Sequence, residues 1–228
     1  MSNSNPEPHQ TVAAGYNACS AAYTATRSQD EVNELALLTS RLRPKSAILD
    51  LGCGAGIPVA STLTSRHDFH VTGLDISSAQ IARAKANVPS ATFIQGDMAD
   101  ADDLLSPFTP QGGFDAVVAF FSVFHLPRET HAKVFERVGA WLRPGGYLLA
   151  TAAASAEGGE GIVHDFYGAD MYWSNYGMAE YRAMLQAVGL EVLENKVEGT
   201  GEVFDWATSA VDAGKAQHPL LFARKAIR

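Results

Sequence analysis

The run Ile48-Leu49-Asp50-Leu51-Gly52-Cys53-Gly54-Ala55-Gly56 is an apolar segment that ends in an acid and a glycine-rich turn. Glycines at alternate positions let the backbone approach a ligand closely and adopt positive φ, where a side chain would clash. A helix beginning near Ile57 would aim its free backbone N–H groups at whatever lies over the turn. The spacing departs from a dinucleotide fingerprint, which needs glycine at the first, third and sixth positions, because counting from Gly52 the sixth is Ile57. Asp50 beside the turn would repel a pyrophosphate and attract a cation. A turn of this composition can also serve only to reverse the chain.

Two more acids fall at the ends of apolar runs. Phe69-His70-Val71-Thr72-Gly73-Leu74-Asp75 places a carboxylate where it can accept both hydroxyls of a ribose, with Ile76 beside it. Ile94-Gln95-Gly96-Asp97-Met98 offers a carboxylate for an exocyclic amine and an apolar neighbour for an adenine face. Either acid could instead cap a helix, since Asp75 precedes Ser77-Ser78 and Asp97 precedes a short helical stretch. In Phe120-Phe121-Ser122-Val123-Phe124-His125-Leu126-Pro127, His125 stands at a strand's carboxyl end, where ligands of open α/β sheets bind. There it could orient or deprotonate a nucleophile, and the alternative is a helix-cap or loop histidine. His131, inside the next helix, reads as a surface residue. The segment Ile162–Tyr176 is dense in aromatics, and His164, Tyr172, Trp173 and Tyr176 are its candidates for the wall of a small-molecule pocket. The competing reading is a satellite hydrophobic cluster beneath a long loop.

The elements that must position these residues alternate between strand and helix. Strands are expected at Ser46–Leu51, Phe69–Asp75, Thr92–Gln95, Phe114–Phe120, Tyr147–Ala152, Glu191–Val197 and Leu220–Ala223. Sheet-covering helices are expected over Val32–Leu42 and Arg128–Leu142, with a forced turn at Pro144-Gly145-Gly146 and irregular connections at Ala153–Gly161 and Gly199–Gly214. The alternation predicts an α/β, doubly wound, mostly parallel sheet. The 228 residues read as a single domain, residues 31–228, preceded by a helical segment over 1–30.

Composition narrows the function. The hydrophobic share of 46% and charged share of 18% fit a folded globular protein and exclude a disordered chain. A net charge of −8, with the 17 basic residues scattered, offers no cationic stripe for nucleic acid. The first ten residues lack a secretory signal, and no apolar run approaches the roughly 20 residues needed to cross a bilayer. Cys19 and Cys53 have no paired spacing and read as free thiols in a reducing cytoplasm. No metal-ligand constellation is visible.

These pieces together resemble the class I, S-adenosylmethionine-dependent methyltransferases of small-molecule type. The resemblance rests on Leu49 to Gly56, Gly73-Leu74-Asp75, Gly96-Asp97-Met98, Phe114-Asp115-Ala116-Val117-Val118 and Leu142-Arg143-Pro144-Gly145-Gly146, in the family's order. It implies a Rossmann-like seven-stranded sheet with helices on both faces and an antiparallel last strand. It also implies S-adenosylmethionine as cofactor. Asp50, Gly52, Cys53, Gly54 and Gly56 would bracket its methionine and ribose, Asp75 and Ile76 the ribose, Asp97 and Met98 the adenine, and Phe120 the methionine end. Val12-Ala13-Ala14-Gly15-Tyr16 is similar to the opening helix of such members, in which Tyr16 and Tyr23 would close over the cofactor and Arg27 meet its carboxylate. Tyr16 and Tyr23, two helical turns apart, could equally pack on one face. The expected activity is methyl transfer to an O, N or S atom of a small molecule in specialised metabolism, by a monomer or homodimer. A cofactor-bound cyclase or binding protein that moves no methyl is the alternative.

Overall fold

The computed structural model describes residues 7–26, 32–153, 158–194, 198–199 and 218–227. The chain opens with α1 (Pro8–Thr26), a 3₁₀ turn at Asn33–Leu35, α2 (Ala36–Thr39) and β1 (Ala47–Leu51). Next come α3 (Val59–His67), β2 (His70–Asp75), α4 (Ser78–Asn87), β3 (Thr92–Gln95), α5 (Asp102–Leu105) and β4 (Phe114–Ala119). The rest is α6 (His131–Trp141), β5 (Leu142–Thr151), β6 (Gly159–Phe166), β7 (Ala169–Asn175), α7 (Met178–Ala187), β8 (Leu190–Val192) and β9 (Leu220–Lys225).

Seven strands form one sheet in the order β3-β2-β1-β4-β5-β9-β8. β3 to β5 are parallel, and β9 runs antiparallel to both β5 and β8. Side chains alternate between the two faces of a strand, so near-continuous apolar strands need cover on both. Leu49, Leu51, Val117, Leu148 and Ala150 pack against α6 and α7 through Val134, Phe135, Val138, Tyr181 and Leu185. Ile48, Ala116, Val118 and Leu149 point the other way, onto Leu37 and Leu38 of α2, Leu63 of α3 and Ile81 of α4. The parallel order reverses at β1, which lies between β2 and β4. Ligands of open α/β sheets bind beyond the strand ends at such a point.

Several expectations need correction. The turn expected at Pro144-Gly145-Gly146 is strand: β5 already pairs Leu142 with Phe114, and the ladder shifts register before Ala116 meets Tyr147. The surplus backbone is absorbed as an irregularity, with Gly145 at φ 76°. The first covering helix is shorter than Val32–Leu42: a 3₁₀ turn at Asn33–Leu35 leads into α2, which ends at Thr39 with Ser40 as its C-cap. The strand expected over Glu191–Val197 is β8, Leu190–Val192, while residues 195–197 and most of the connection Gly199–Gly214 lie outside the described residues. His131 is fully buried rather than at the surface. Ser174 Oγ donates to the Leu126 carbonyl at 2.7 Å, so it accepts from His131 Nε2 at 2.9 Å, and Tyr181 O–H donates to His131 Nδ1 at 3.2 Å. That network keeps the imidazole neutral, and burial lowers its pKa to about 4.

The segment read as a loop and an aromatic cluster contains a β-hairpin. β6 and β7 pair antiparallel through Ile162↔Tyr172 and close on Phe166↔Ala169. The two turn residues, Tyr167 and Gly168, have φ of 51° and 86°. Positive φ at both is the pattern of the tight hairpin turn whose twist matches the strands. This hairpin packs on α1, where Val12 buries beside Met171 and Tyr172. α1 has a second anchor at the start of α4: Asn17 Oδ1 accepts from Ser77 Oγ at 2.8 Å and from the Ala79 N–H at 3.1 Å. Among the described residues no helix is long and apolar enough to cross a membrane.

Helix and hairpin meet at Gly15, where an added Cβ would lie 2.6 Å from the Asp170 carbonyl oxygen. Gly15→Val is therefore expected to destabilise the protein by about 1–3 kcal/mol through overpacking, with faster proteolysis inside α1. An unchanged melting temperature and cleavage pattern would reject the close approach.

Candidate functional site

The end of β1 is tied to the end of β2 by backbone and carboxylate bonds. Gly52 and Cys53 N–H groups both donate to the Leu74 carbonyl, at 2.7 and 3.0 Å. Asp75 accepts from the Gly54 N–H through Oδ2 and from the Ser77 N–H through Oδ1, each at 2.8 Å. Gly52 has φ 73°, and a Cβ there would meet the Ser122 Cβ at 2.2 Å, so the turn seats directly on the loop after β4. Gly54 has φ 53° and open space where its Cβ would be.

That space belongs to a cavity of about 380 Å³ over the strand ends. Asp50, Gly52, Cys53 and Gly54 line it from the β1 turn, Asp75 and Ile76 from β2, Asp97 and Met98 from beyond β3, and Phe120 and His125 from beyond β4. Tyr16 and Tyr23 close it from α1. Gly56 does not reach it, packing instead toward Phe93 and Val88, and Arg27 lies outside the described residues.

None of the four aromatic-segment candidates lines the cavity. His164 is exposed and pairs with Asp170 at 2.9 Å. Tyr172 turns its hydroxyl to Glu160, donating at 2.7 Å. Tyr176 lies under the Arg128 guanidinium, 4.3 Å from the ring centroid, and meets Tyr181 edge-on. Trp173 packs over Gly159 and Gly161 of the neighbouring strand. The physical reason is the hairpin: Tyr172 and Trp173 fall on opposite faces of β7, His164 on the exposed β6, and Tyr176 beyond the end of β7, and none of these positions turns toward the strand ends. The hairpin contributes in two other ways. Phe166, tilted, and Tyr167, edge-on, pack around Tyr23 with centroids 5.9 and 5.6 Å away, bracing α1. The Tyr172 carbonyl lies 2.7 Å from His125 Nδ1.

A carbonyl only accepts, so Nδ1 carries the proton and Nε2 presents a lone pair. The Tyr16 hydroxyl donates to that lone pair at 2.9 Å. Burial lowers the His125 pKa to about 4, the carbonyl bond opposing the shift and His218 adding to it. The imidazole is thus neutral at physiological pH, in one tautomer, and joined to the tyrosine on α1.

The opposite wall is acidic. Asp50 is 2% exposed, and its Oδ2 has no hydrogen-bond partner. Burial and the negative charge of Asp75 push its pKa up to about 7. Asp75 rises to about 6, burial outweighing the two N–H bonds it accepts. Burial, Asp50 and Asp75 also push the Cys53 thiol up, so it is neutral. Glu34, on the turn before α2, lines the cavity too and was not singled out from sequence, because one acid before an apolar run carries no spacing signal. Among the described residues lining the cavity there is no Lys or Arg. No group of three or more His, Cys, Asp or Glu side chains that could hold a metal occurs among the described residues.

The methyltransferase domain family matches residues 48–146, the span from β1 into β5 that builds this wall. That span is thus a methyltransferase domain, and its fold is that of the class I, S-adenosylmethionine-dependent type. The chain is similar to the 27-O-demethylrifamycin SV methyltransferase of Amycolatopsis mediterranei, 33% identical over 169 residues that cover 66% of this chain and 56% of that one. The chain spans about half the length of the curated relatives it matches. In fold, the chain is similar to the [4+2]-cyclase SpnF, with TM-score 0.67, 19% identity and coverage of 98% and 97%. It is also similar to magnesium protoporphyrin IX methyltransferase from Synechocystis with bound SAM, with TM-score 0.64, 15% identity and coverage of 99% and 100%.

S-adenosylmethionine is the cofactor of methyltransferase domains of this type, and the residues present fit it. The orphaned Asp50 oxygen calls for a positive or hydrogen-bond-donating group, the bare Gly54 leaves room for one, and the carboxylates at the strand ends suit hydroxyl and amine donors.

Asp75→Asn should weaken S-adenosylmethionine binding by about 1.5–3 kcal/mol, the worth of a hydrogen bond to a charged group, as read by calorimetry. Asp50 and Asp75, lifted to about 7 and about 6, hold protons in mild acid and ionise as pH rises through those values. A cation binds the ionised pair, so wild-type affinity should climb from about pH 5 to about pH 8. A flat profile would mean that these carboxylates do not meet the cofactor's charge.

Proposed function

We propose that this protein transfers a methyl group from S-adenosylmethionine to an O, N or S atom of a small molecule, as part of specialised metabolism. The observation that carries this reading is the Tyr16–His125 pair, a neutral imidazole with its acceptor nitrogen engaged by a tyrosine, on the wall of the cavity that holds the glycine turn. The name of the rifamycin relative supports a small-molecule acceptor.

In this proposal Asp75 and Ile76 hold the ribose, Asp97 and the Met98 backbone the adenine, and Asp50, Gly52 and Gly54 the methionine portion beside Phe120. The segment over residues 1–30 acts as a helical lid, with Tyr16 and Tyr23 excluding water. The cofactor supplies an already activated methyl on a sulfonium. The protein therefore has two tasks, alignment and removal of a proton. Holding reactants in line is worth on the order of 7–11 kcal/mol in favourable intramolecular systems.

The proton follows a short relay. On an oxygen or sulfur acceptor, the proton carried by the atom that gains the methyl group would become strongly acidic. It passes to the Tyr16 oxygen while the Tyr16 proton passes to His125 Nε2, leaving an imidazolium whose Nδ1–H still donates to the Tyr172 carbonyl. A base with a pKa of about 4 suffices at that late stage, since it need not ionise the acceptor beforehand.

A second reading keeps the cofactor and moves no methyl, and the fold likeness to the SpnF cyclase is what raises it. Mass spectrometry of acceptor pools incubated with purified protein and S-adenosylmethionine decides between the two. S-adenosylhomocysteine that forms only with an acceptor present, together with a product heavier by one methyl, supports transfer; consumption of a substrate with no S-adenosylhomocysteine supports the cyclase.

His125→Gln keeps hydrogen-bonding capacity and removes the base, so turnover should fall by about 10²–10⁴-fold with cofactor affinity intact. Tyr16→Phe should break the relay in the same direction. At saturating S-adenosylmethionine the wild-type turnover should carry no acidic limb near the usual histidine pKa of about 6.5, since His125 is held neutral down to about 4. Turnover unchanged in both variants would leave alignment alone as the mechanism.

A further inference from the structure

We propose that the acceptor is an amine-bearing small molecule, and that the Glu34 carboxylate holds its ammonium group inside the cavity. This rests on the methyltransferase reading and adds the chemical class of its substrate.

Glu34 is fixed by its neighbours. Leu35, Leu37 and Leu38 are 0–1% exposed and pinned beneath the sheet, so the turn at Asn33–Leu35 has no freedom to swing its acid into solvent. The side chain is 7% exposed and borders the cavity. No hydrogen bond or ion pair from another described residue reaches its carboxylate. Its own backbone N–H is the one group that favours its charge, and burial raises its pKa. A carboxylate withdrawn from water needs a partner, and a ligand is what this geometry leaves to supply one.

The cofactor's donors are met elsewhere. Asp50, Asp75 and Asp97 lie at the ends of β1, β2 and β3, along the line a nucleoside and its sulfonium would follow. Glu34 enters from before β1. Val32, two residues earlier, packs in the cluster that also holds Phe120 and Phe121 beyond β4. With the three strand-end acids matched to the cofactor's donors, the fourth carboxylate is left for the acceptor.

Charge balance gives the same answer. Glu34, Asp50, Asp75 and Asp97 all border the cavity, with no Lys or Arg among the described lining residues. A carboxylate or phosphate on the acceptor would bring like charge against these walls, whereas an ammonium relieves Glu34 and finds aromatic faces at Phe120, Phe121 and Tyr23.

Three probes of one shape test the proposal: phenethylamine, 2-phenylethanol and phenylacetate, each titrated by calorimetry into protein saturated with S-adenosylhomocysteine. Phenethylamine should bind at least about tenfold tighter than phenylacetate, with the alcohol between, and Glu34→Gln should erase that preference while S-adenosylhomocysteine affinity stays within about twofold. The wild-type ranking needs no variant to fold. Phenylacetate binding as well as the amine, an amine that does not bind, or a preference that survives Glu34→Gln overturns the proposal. A tenfold loss of S-adenosylhomocysteine affinity in the variant also overturns it, by moving Glu34 into the cofactor site. Wild-type protein that fails to bind S-adenosylhomocysteine at all is the separate result that removes the methyltransferase reading itself.

Discussion

Asp75 accepts the Gly54 and Ser77 N–H groups with the two oxygens of one carboxylate, joining the β1 turn, the end of β2 and the start of α4 at a single side chain. Everything above the sheet follows from the burial of this charge. The bonds hold the glycine turn open, yet the acid still sits high in pKa and raises that of Asp50 beside it. Two carboxylates this close in a low dielectric remain ionised together only when positive charge arrives. The strand ends therefore hold two acids whose joint ionisation is disfavoured in the protein by itself. The same burial leaves Asp50 Oδ2 without a partner.

Across the cavity the logic is reversed. His125 is kept neutral by burial and fixed in one tautomer by a backbone carbonyl of β7, so the hairpin sets the chemistry of a residue 47 positions away. Tyr16 connects that imidazole to α1, and α1 is held by the hairpin on one side and by Asn17 at the head of α4 on the other. Movement of α1 would therefore be felt at once by the cavity wall and by the hydrogen bond to His125. Acid on one wall and a neutral acceptor on the other give the cavity a direction: the strand ends favour positive charge, and the imidazole beside α1 offers a place for a proton.

Much of this was legible beforehand because strand and glycine patterns are local. An apolar run ending in Asp50 and alternating glycines needs no knowledge of the rest of the chain to be read as β1 and a ligand turn, and Asp75 and Asp97 follow at matching strand ends. His125 was found for the same reason, as a titratable residue just past a strand. The hairpin was missed because its aromatics suggested a pocket wall. The local clue was available in Gly168 at the turn, flanked by alternating Ile162, His164 and Phe166.

The sequence by itself determined the parallel sheet, the strand-end acids and the glycine turn, since two-residue alternation, apolar runs and glycine's tolerance of positive φ are properties of short stretches. Only the tertiary structure decided which way side chains face once elements pack. It turned Tyr172, Trp173 and Tyr176 away from the cavity and buried His131 that the helix pattern left at the surface. It also brought the Tyr172 carbonyl to His125 and left the Glu34 carboxylate at the cavity wall with no partner among the described residues. Those outcomes depend on contacts between residues far apart in the chain, whose energies are set by burial and by the few partners packing allows, and no spacing rule encodes them.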